Sequence, residues 1–474
     1  MVEKSDNKIP EDGEKSNSHD YFIRYKLLYF TIFSGLGILF PYLPVFYESL
    51  FLTKSQIGIL CMIPNFCSFM IAPIFSIIGD MLHAHYELMM VSLIVSTLSV
   101  LAMIPIKQYS VLSVVVLIGA MTRAPLTPQI DSLVISTLSN KTRYGEMRLW
   151  GAISYGIFSF VGGVVTADRV DGVANSSSFR YVFFIHAFWF FLGGFLLLYL
   201  VNTVQLHQIM NTIREQEIML VKNEPIETES QKRRKNKVKD DEEQVGVVTA
   251  LRRVFAEHPE VSIFSLVVFL SGFGSGVIES FLFIRMGQLG GSGLVMGISR
   301  FITCAAEVPM FQVAGSLQER FGVWPMMAVT QLAFVIRFTY YSLLTDPWYV
   351  LPCEMLHGLT FATMWSVSCS YANMISPPEC HSSMQALLEG LHWGFGSGMG
   401  ALIGGFAYDQ FGAVRLFQAS GVLSFCSLLL SVYVSYSEYN RGATEAPRPS
   451  HTSYEHVKEL ELSTHPLTRI ENEI

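Results

Sequence analysis

Ser34-Gly35-Leu36-Gly37 sits inside an apolar run at residues 26–48, and 237 positions later Ser271-Gly272-Phe273-Gly274 sits inside another at 260–285. Each run exceeds the roughly 20 residues that a helix needs to cross about 30 Å of hydrocarbon. The echo continues along the chain. Pro73-Ile74-Phe75 and Gly79 return as Pro309-Met310-Phe311 and Gly315 at an offset of 236. Leu117-Ile118-Gly119 returns as Leu356-His357-Gly358 at 239, and Gly162-Gly163 as Gly404-Gly405 at 242. Glycine and aromatic residues are common in membrane helices, so any one match is weak. Four in order, at nearly one offset, indicate two parallel repeats. Such repeats hold a solute site at their interface, near the bilayer midplane.

Composition supports the same class. Of 474 residues, 51% are apolar and 15% charged, whereas soluble domains carry about a quarter charged residues. Lipid is therefore the expected solvent. Apolar windows place helices near 26–48, 56–78, 86–106, 110–138, 146–166 and 180–202. After a charged stretch they resume near 260–285, 293–317, 324–344, 348–375, 382–407 and 413–436. The expected fold is an all-α membrane protein with twelve transmembrane helices in two six-helix bundles, 26–202 and 260–436. A tail at 1–25, a linker at 203–259 and a tail at 437–474 carry most of the charge, so the net −7 says little about partners.

The linker sets Lys232-Arg233-Arg234-Lys235 before Asp240-Asp241-Glu242-Glu243. Its signs nearly balance and it has few large apolar residues, which suits a solvated connector and not a nucleic-acid site. Lys and Arg stay cytoplasmic, so linker and both tails are expected in the cytosol of a plasma-membrane or endomembrane protein. Asn175-Ser176-Ser177 then lies outward and Asn140-Lys141-Thr142 inward. Glycan on Asn175 and none on Asn140, read by mobility shift after deglycosylation, is the expected result; the converse would overturn this topology. The polar N-terminus does not resemble a cleaved signal peptide. The cysteines show no metal-ligand spacing and read as small buried hydrophobes. No P-loop, H-E-x-x-H or G-x-S-x-G pattern occurs, so neither an enzyme nor an ATP-driven pump is indicated, and no cofactor or metal is expected.

At these residues the chain resembles the major facilitator superfamily. Gly79-Asp80-Met-Leu-His-Ala-His85 resembles its signature between helices two and three, with histidines where Arg or Lys is usual. The resemblance implies a gating role for Gly79 and Asp80, and for Gly315, the repeat partner of Gly79. Within the superfamily the chain is similar to the lactose-permease-like branch, which includes nucleoside–proton symporters and animal major facilitator domain-containing proteins of type six. Phe40-Pro41-Tyr-Leu-Pro44, Ala124-Pro125…Asp131, Tyr144-Gly145-Glu-Met-Arg148-Leu-Trp150-Gly151, Glu307-Val-Pro309-Met-Phe311 and Leu356-His357-Gly358…Trp365 carry this likeness, over roughly 25–436.

Ionisable side chains at bilayer depth are costly unless paired or hydrated, which marks each as a functional candidate. Asp131 lies roughly 10 Å into the fourth helix at 1.5 Å per residue, and Arg148 enters the fifth from the same side. The two can pair, as substrate ligands by the resemblance, or as a packing bridge or gate. Arg123, beside Pro125 and Pro128, faces an anionic substrate or pairs with an acid nearby. Trp150, Tyr155 and Trp365 can stack on a sugar or base ring, or simply pack. The resemblance puts proton coupling on Glu307, Arg337 and His357. The permease pattern has an acid one turn after this histidine; here Thr360 stands there, and Glu354 lies one turn before. Arg300 shares a face with Glu307. Glu389 and His392 are three residues apart and can form a titrating pair beside Trp393, although a packed histidine is the commoner outcome. The reading is a monomeric secondary transporter, a proton symporter for a small polar, sugar- or nucleoside-like solute. Uniport and a transporter-like receptor or scaffold are the alternatives.

Overall fold

The computed structural model describes residues 12–82, 85–137, 144–167, 169–170, 173–174, 178–200, 255–256, 260–376 and 381–444, with most side chains from Ile23 to Asn440. The linker and C-terminal tail lie almost wholly outside these, and so do Asn140, Asn175 and the side chain of Asp80. In hydrocarbon every backbone polar group must be satisfied internally, and the apolar runs accordingly form helices. In the first half these are α1 (Asp12–Leu39), α2 (Leu43–Ser49), α3 (Lys54–Leu82), α4 (His85–Ala102), α5 (Tyr109–Arg123), α6 (Leu126–Thr137), α7 (Tyr144–Val165) and α8 (Ser178–Leu200). In the second half they are α9 (Glu260–Gln288), α10 (Gly293–Phe321), α11 (Val323–Leu343), α12 (Val350–Glu354), α13 (Met364–Ile375), α14 (His381–Glu389) and α15 (Gly398–Thr444). A two-residue hairpin, β1 (Arg169–Val170) against β2 (Val173–Ala174), precedes α8. Eight helical stretches among the described residues are long and apolar enough to cross a membrane. Phe184, Phe188, Phe191 and Phe195 make an exposed stripe along α8, as a lipid-facing surface should. The chain is a multi-pass membrane protein.

Glycine and proline punctuate these helices. Pro125 has no N–H to donate, and the helix is interrupted there, between α5 and α6. Gly412, at φ 79°, divides α15 with a left-handed turn that a side chain would resist. Two wide π-turns, Gly358–Thr363 and Gly390–Ser397, join α12 to α13 and α14 to α15. Nothing in the periodicity announces them, yet such turns concentrate at functional sites, and here they carry Phe361, His392 and Trp393.

The halves meet along two seams. α3 packs on α15, and α7 on α10. At the first, a Cβ on Gly58 would land on the Ala401 carbonyl, and one on Gly405 would lie 3.1 Å from the Gly58 Cα. At the second, a Cβ on Gly297 would lie 2.9 Å from the Phe160 carbonyl oxygen and 3.1 Å from the Gly163 Cα. Gly163 and Gly405, repeat partners in sequence, thus hold equivalent places in opposite seams. Both seams lie at one end of the molecule, where α3 and α10 begin and α7 ends. There one apolar core runs across both halves, from Ile38 and Tyr42 through Phe179 to Phe281, Phe338 and Phe417. At the opposite end the core divides into separate clusters, one around Tyr29 and Leu93, another around Phe264 and Trp324. There α10 is exposed almost all round: of residues 311–316 only Ala314 is buried. The protein is sealed at one end and parted at the other.

Asp409, in the turn before Gly412, reinforces the seal. Its carboxylate accepts from Lys54 N at 2.9 Å, Ser55 N at 2.7 Å and Ser55 Oγ at 2.5 Å, capping α3 from the other half. Losing such a cap costs about 1 kcal/mol. Asp409→Ala is therefore expected to raise maleimide labelling of a cysteine placed at Thr166, buried at the other seam, by roughly fivefold. Unchanged labelling would mean that the cap contributes nothing to closure.

Candidate functional site

Between the halves lies a cavity of about 570 Å³, within the range of small-molecule sites. Its first-half wall presents Phe33, Phe40, Arg123, Arg148 and Tyr155; its second-half wall presents Glu279, Arg300, Cys304, Glu307, Arg337, His357, Phe361 and Trp393. Arg300 forks onto Glu279, with two N–H···O bonds of 2.6 Å each. The seven-residue spacing offered Glu307 as a partner for Arg300, but the guanidinium turns to α9 instead.

Arg337 is buried and spends its donors on four groups. Nε–H donates to Tyr341 Oη at 2.8 Å, one Nη–H to Thr360 Oγ1 at 2.7 Å and another to Glu354 Oε2 at 3.1 Å. Tyr341 Oη–H closes the ring by donating to Glu354 Oε1 at 2.5 Å. The fourth partner is His357 Nδ1, 3.1 Å from Nη1. A guanidinium has no acceptor, so Nδ1 must accept, and network logic then assigns the ring proton to Nε2. His357 Nε2 faces Glu307 Oε1 at 3.0 Å. The arrangement is a chain: Glu354–Arg337–His357–Glu307, buried at one end and facing the cavity at the other.

Other candidate residues fall elsewhere. Asp131 does not line the cavity; it accepts from Tyr29 Oη at 2.5 Å, and no ion pair joins it to Arg148. Arg148 lies instead over the Phe33 ring, 4.2 Å from its centroid, and Arg123 lies 3.7 Å from that of Phe40. Tyr155 lines the cavity, whereas Trp150 is exposed away from it. Trp365 and His392 stand behind Phe361 and Trp393 in an aromatic cluster, with His392 Nδ1 3.4 Å from the Val268 carbonyl oxygen. Glu389 is exposed and makes no pair with His392. Gly79 and Gly315 lie toward the parted end, off the cavity. Sequence reasoning passed over Glu279, although an acid inside the apolar run of α9 was a visible signal. It also passed over Tyr341 and Phe33, which carry no such signal, and gave Phe40 no part beyond the family likeness.

The sequence profile of the MFS_1 like family matches residues 22–419. "Major facilitator superfamily domain-containing protein 6-like" of Danio rerio is 26% identical over 168 residues, 35% of this chain and 31% of that one. The chain thus spans about a third or less of the first such relatives it matches. A maltose permease of Geobacillus stearothermophilus is 21% identical over 400 residues, covering 83% of this chain and 90% of that one. Among solved structures, the nucleoside transporter NupG superposes with a TM-score of 0.64 at 15% identity, over 88% of this chain and 98% of NupG.

Proposed function

The chain belongs to the MFS_1 like family of the major facilitator superfamily, and on that premise we propose that it is a secondary transporter, a proton symporter for a small polar organic solute. Rocking of 26–202 against 260–436 exposes the central cavity to each side in turn. The linker and both termini lie in the cytosol, and the unit is one chain. The similarity to a maltose permease and to a nucleoside transporter supports a sugar- or nucleoside-like solute.

One observation carries the coupling. His357 Nδ1 is occupied by an Arg337 N–H, so the imidazole cannot take a second proton without losing that bond. An arriving proton therefore goes to Glu307, the carboxylate that faces the cavity. Protonation removes the charge facing His357 and loosens the tie between α10 and the π-turn of α12–α13. That couples proton occupancy to the helix that forms one seam. Arg337, held by Glu354, fixes the imidazole in this tautomer.

Uptake into proteoliposomes, with a broad panel of sugars, nucleosides and their carboxylated and phosphorylated derivatives, with and without an inward proton gradient, tests this reading. Accumulation is expected only with the gradient. Glu307→Gln, a permanently neutral isostere, is expected to reduce it to the uncoupled level while leaving solute exchange partly intact. Uptake indifferent to the gradient would make the protein a uniporter. No uptake across the panel would favour the receptor.

A further inference from the structure

The second-half wall pairs its cations; the first-half wall does not. Arg300 is matched by Glu279, and Arg337 by Glu354. Arg123 and Arg148 both line the cavity, yet among the described residues no carboxylate is bonded to either and no acceptor takes their N–H groups. Asp131, the acid nearest Arg148, is close enough to attract it but takes its hydrogen bonds from Tyr29 and Tyr144, which leaves Arg123 as the cation with no carboxylate near it among the described residues. What touches the two guanidiniums is aromatic: Phe40 under Arg123, Phe33 under Arg148. Stacking uses the flat face of a guanidinium and leaves its edge, where the donors lie, free. An edge of that kind fits two oxygens of a carboxylate or phosphate in a fork. A neutral hydroxyl accepts one such bond without offsetting the charge, and unpaired cations at bilayer depth are costly.

We infer that the solute carries an oxyanion, a carboxylate or a phosphate, seated on the edge of Arg123, with Arg148 adding positive charge to the same wall, while its apolar or ring portion lies against Phe33, Phe40 and Tyr155. This rests on the transporter reading only in calling the ligand a solute; the anion site itself needs no turnover. In a symporter the site also gives the proton an electrical role, because cargo and proton then cancel in charge.

Cys304 lines the same cavity and reports on it. In purified protein with the other cysteines replaced, its labelling by sulfonate and by trimethylammonium methanethiosulfonates is compared, each rate divided by that for a free thiol in water. Glu307, one turn from Cys304, acts on the same thiol, so the comparison is made in a Glu307→Gln background, where the normalised ratio is expected to favour the sulfonate severalfold. Arg123→Gln and Arg148→Gln each lower that ratio severalfold, and Arg123→Lys restores it. Millimolar acetate or inorganic phosphate, but not acetamide, slows labelling by the uncharged methyl reagent, and whichever anion protects identifies the oxyanion. A normalised ratio at or below one overturns the inference, as does protection by neither anion. An anion site that passes both, in a protein that moves nothing across proteoliposomes, would overturn transport and leave the site standing.

Discussion

Arg337→Met is expected to destabilise the protein by about 3–5 kcal/mol, the cost of breaking a buried ion pair and leaving one charge behind. Arg337 and Glu354 have side chains only 2% exposed each, and their oxygen–nitrogen distance is 3.1 Å. Removing the cation strands Glu354 with one phenolic donor, Tyr341. The double variant Arg337→Met, Glu354→Leu is expected to recover most of the loss, because apolar pairs of similar volume often replace buried ion pairs without cost. The single variant Glu354→Leu should sit between them, since Arg337 keeps Tyr341, Thr360 and His357 as acceptors. A double-mutant cycle read from unfolding in mixed micelles gives the coupling directly. Single variants as stable as the parent would mean that the two residues are not each other's counterion. The stable double variant is also informative about coupling. It frees His357 Nδ1, so its accumulation should fail even where its fold does not.

How much of this was legible in the chain depends on what each feature rests upon. Helices and their apolar faces were visible because lipid forces the backbone to pair with itself, and a window of apolar residues suffices to mark that. The seams were half visible. Gly162-Gly163 and Gly404-Gly405 stood out as an echo, but Gly58 and Gly297, which they approach across the interface, were invisible until helices were packed together. In the site, charge at depth marked Glu307 and Arg337, the family resemblance added His357 and the departure at Thr360 added Glu354; the structure joins all four. The same rule selected Asp131 and Glu389, which lie off the cavity. Depth along a helix is readable from position, but rotation about it depends on neighbours, and the π-turns shift that rotation by an amount no fixed period captures. His392, inside one such turn, is buried among aromatic rings, the packed outcome that the sequence favoured over a titrating pair with Glu389. The departure at Thr360 resolves likewise. Arg337 reaches both Thr360 and Glu354, so an acid one turn earlier serves the same guanidinium.

Tryptophan at Gly58 and Gly297 together is expected to abolish transport and to hold the protein open at its sealed end. At both positions the atoms in the way belong to backbone: the Ala401 carbonyl and Gly405 Cα at one seam, the Phe160 carbonyl and Gly163 Cα at the other. Backbone inside a packed helix cannot step aside, so the halves must separate. Overpacking a rigid contact costs about 1–3 kcal/mol or more at each site. Moving a two-state equilibrium from one extreme to the other takes about 5.5 kcal/mol. One tryptophan should therefore shift the population and two should complete the shift. Gly315 supplies the contrast, for there nothing lies within 4 Å of an added Cβ; Gly315→Ala should leave the packing of the seams unchanged. Spin labels at Phe51 and Tyr349, exposed on opposite halves at the sealed end, are expected to move apart by several ångströms in the double variant. The anion site makes this more than a test of gating. With the sealed end held open, Arg123 and Arg148 face the other compartment, and the sulfonate reagent should reach Cys304 from that side. A double variant that keeps the parent distance and still transports would show that closure does not run through these seams.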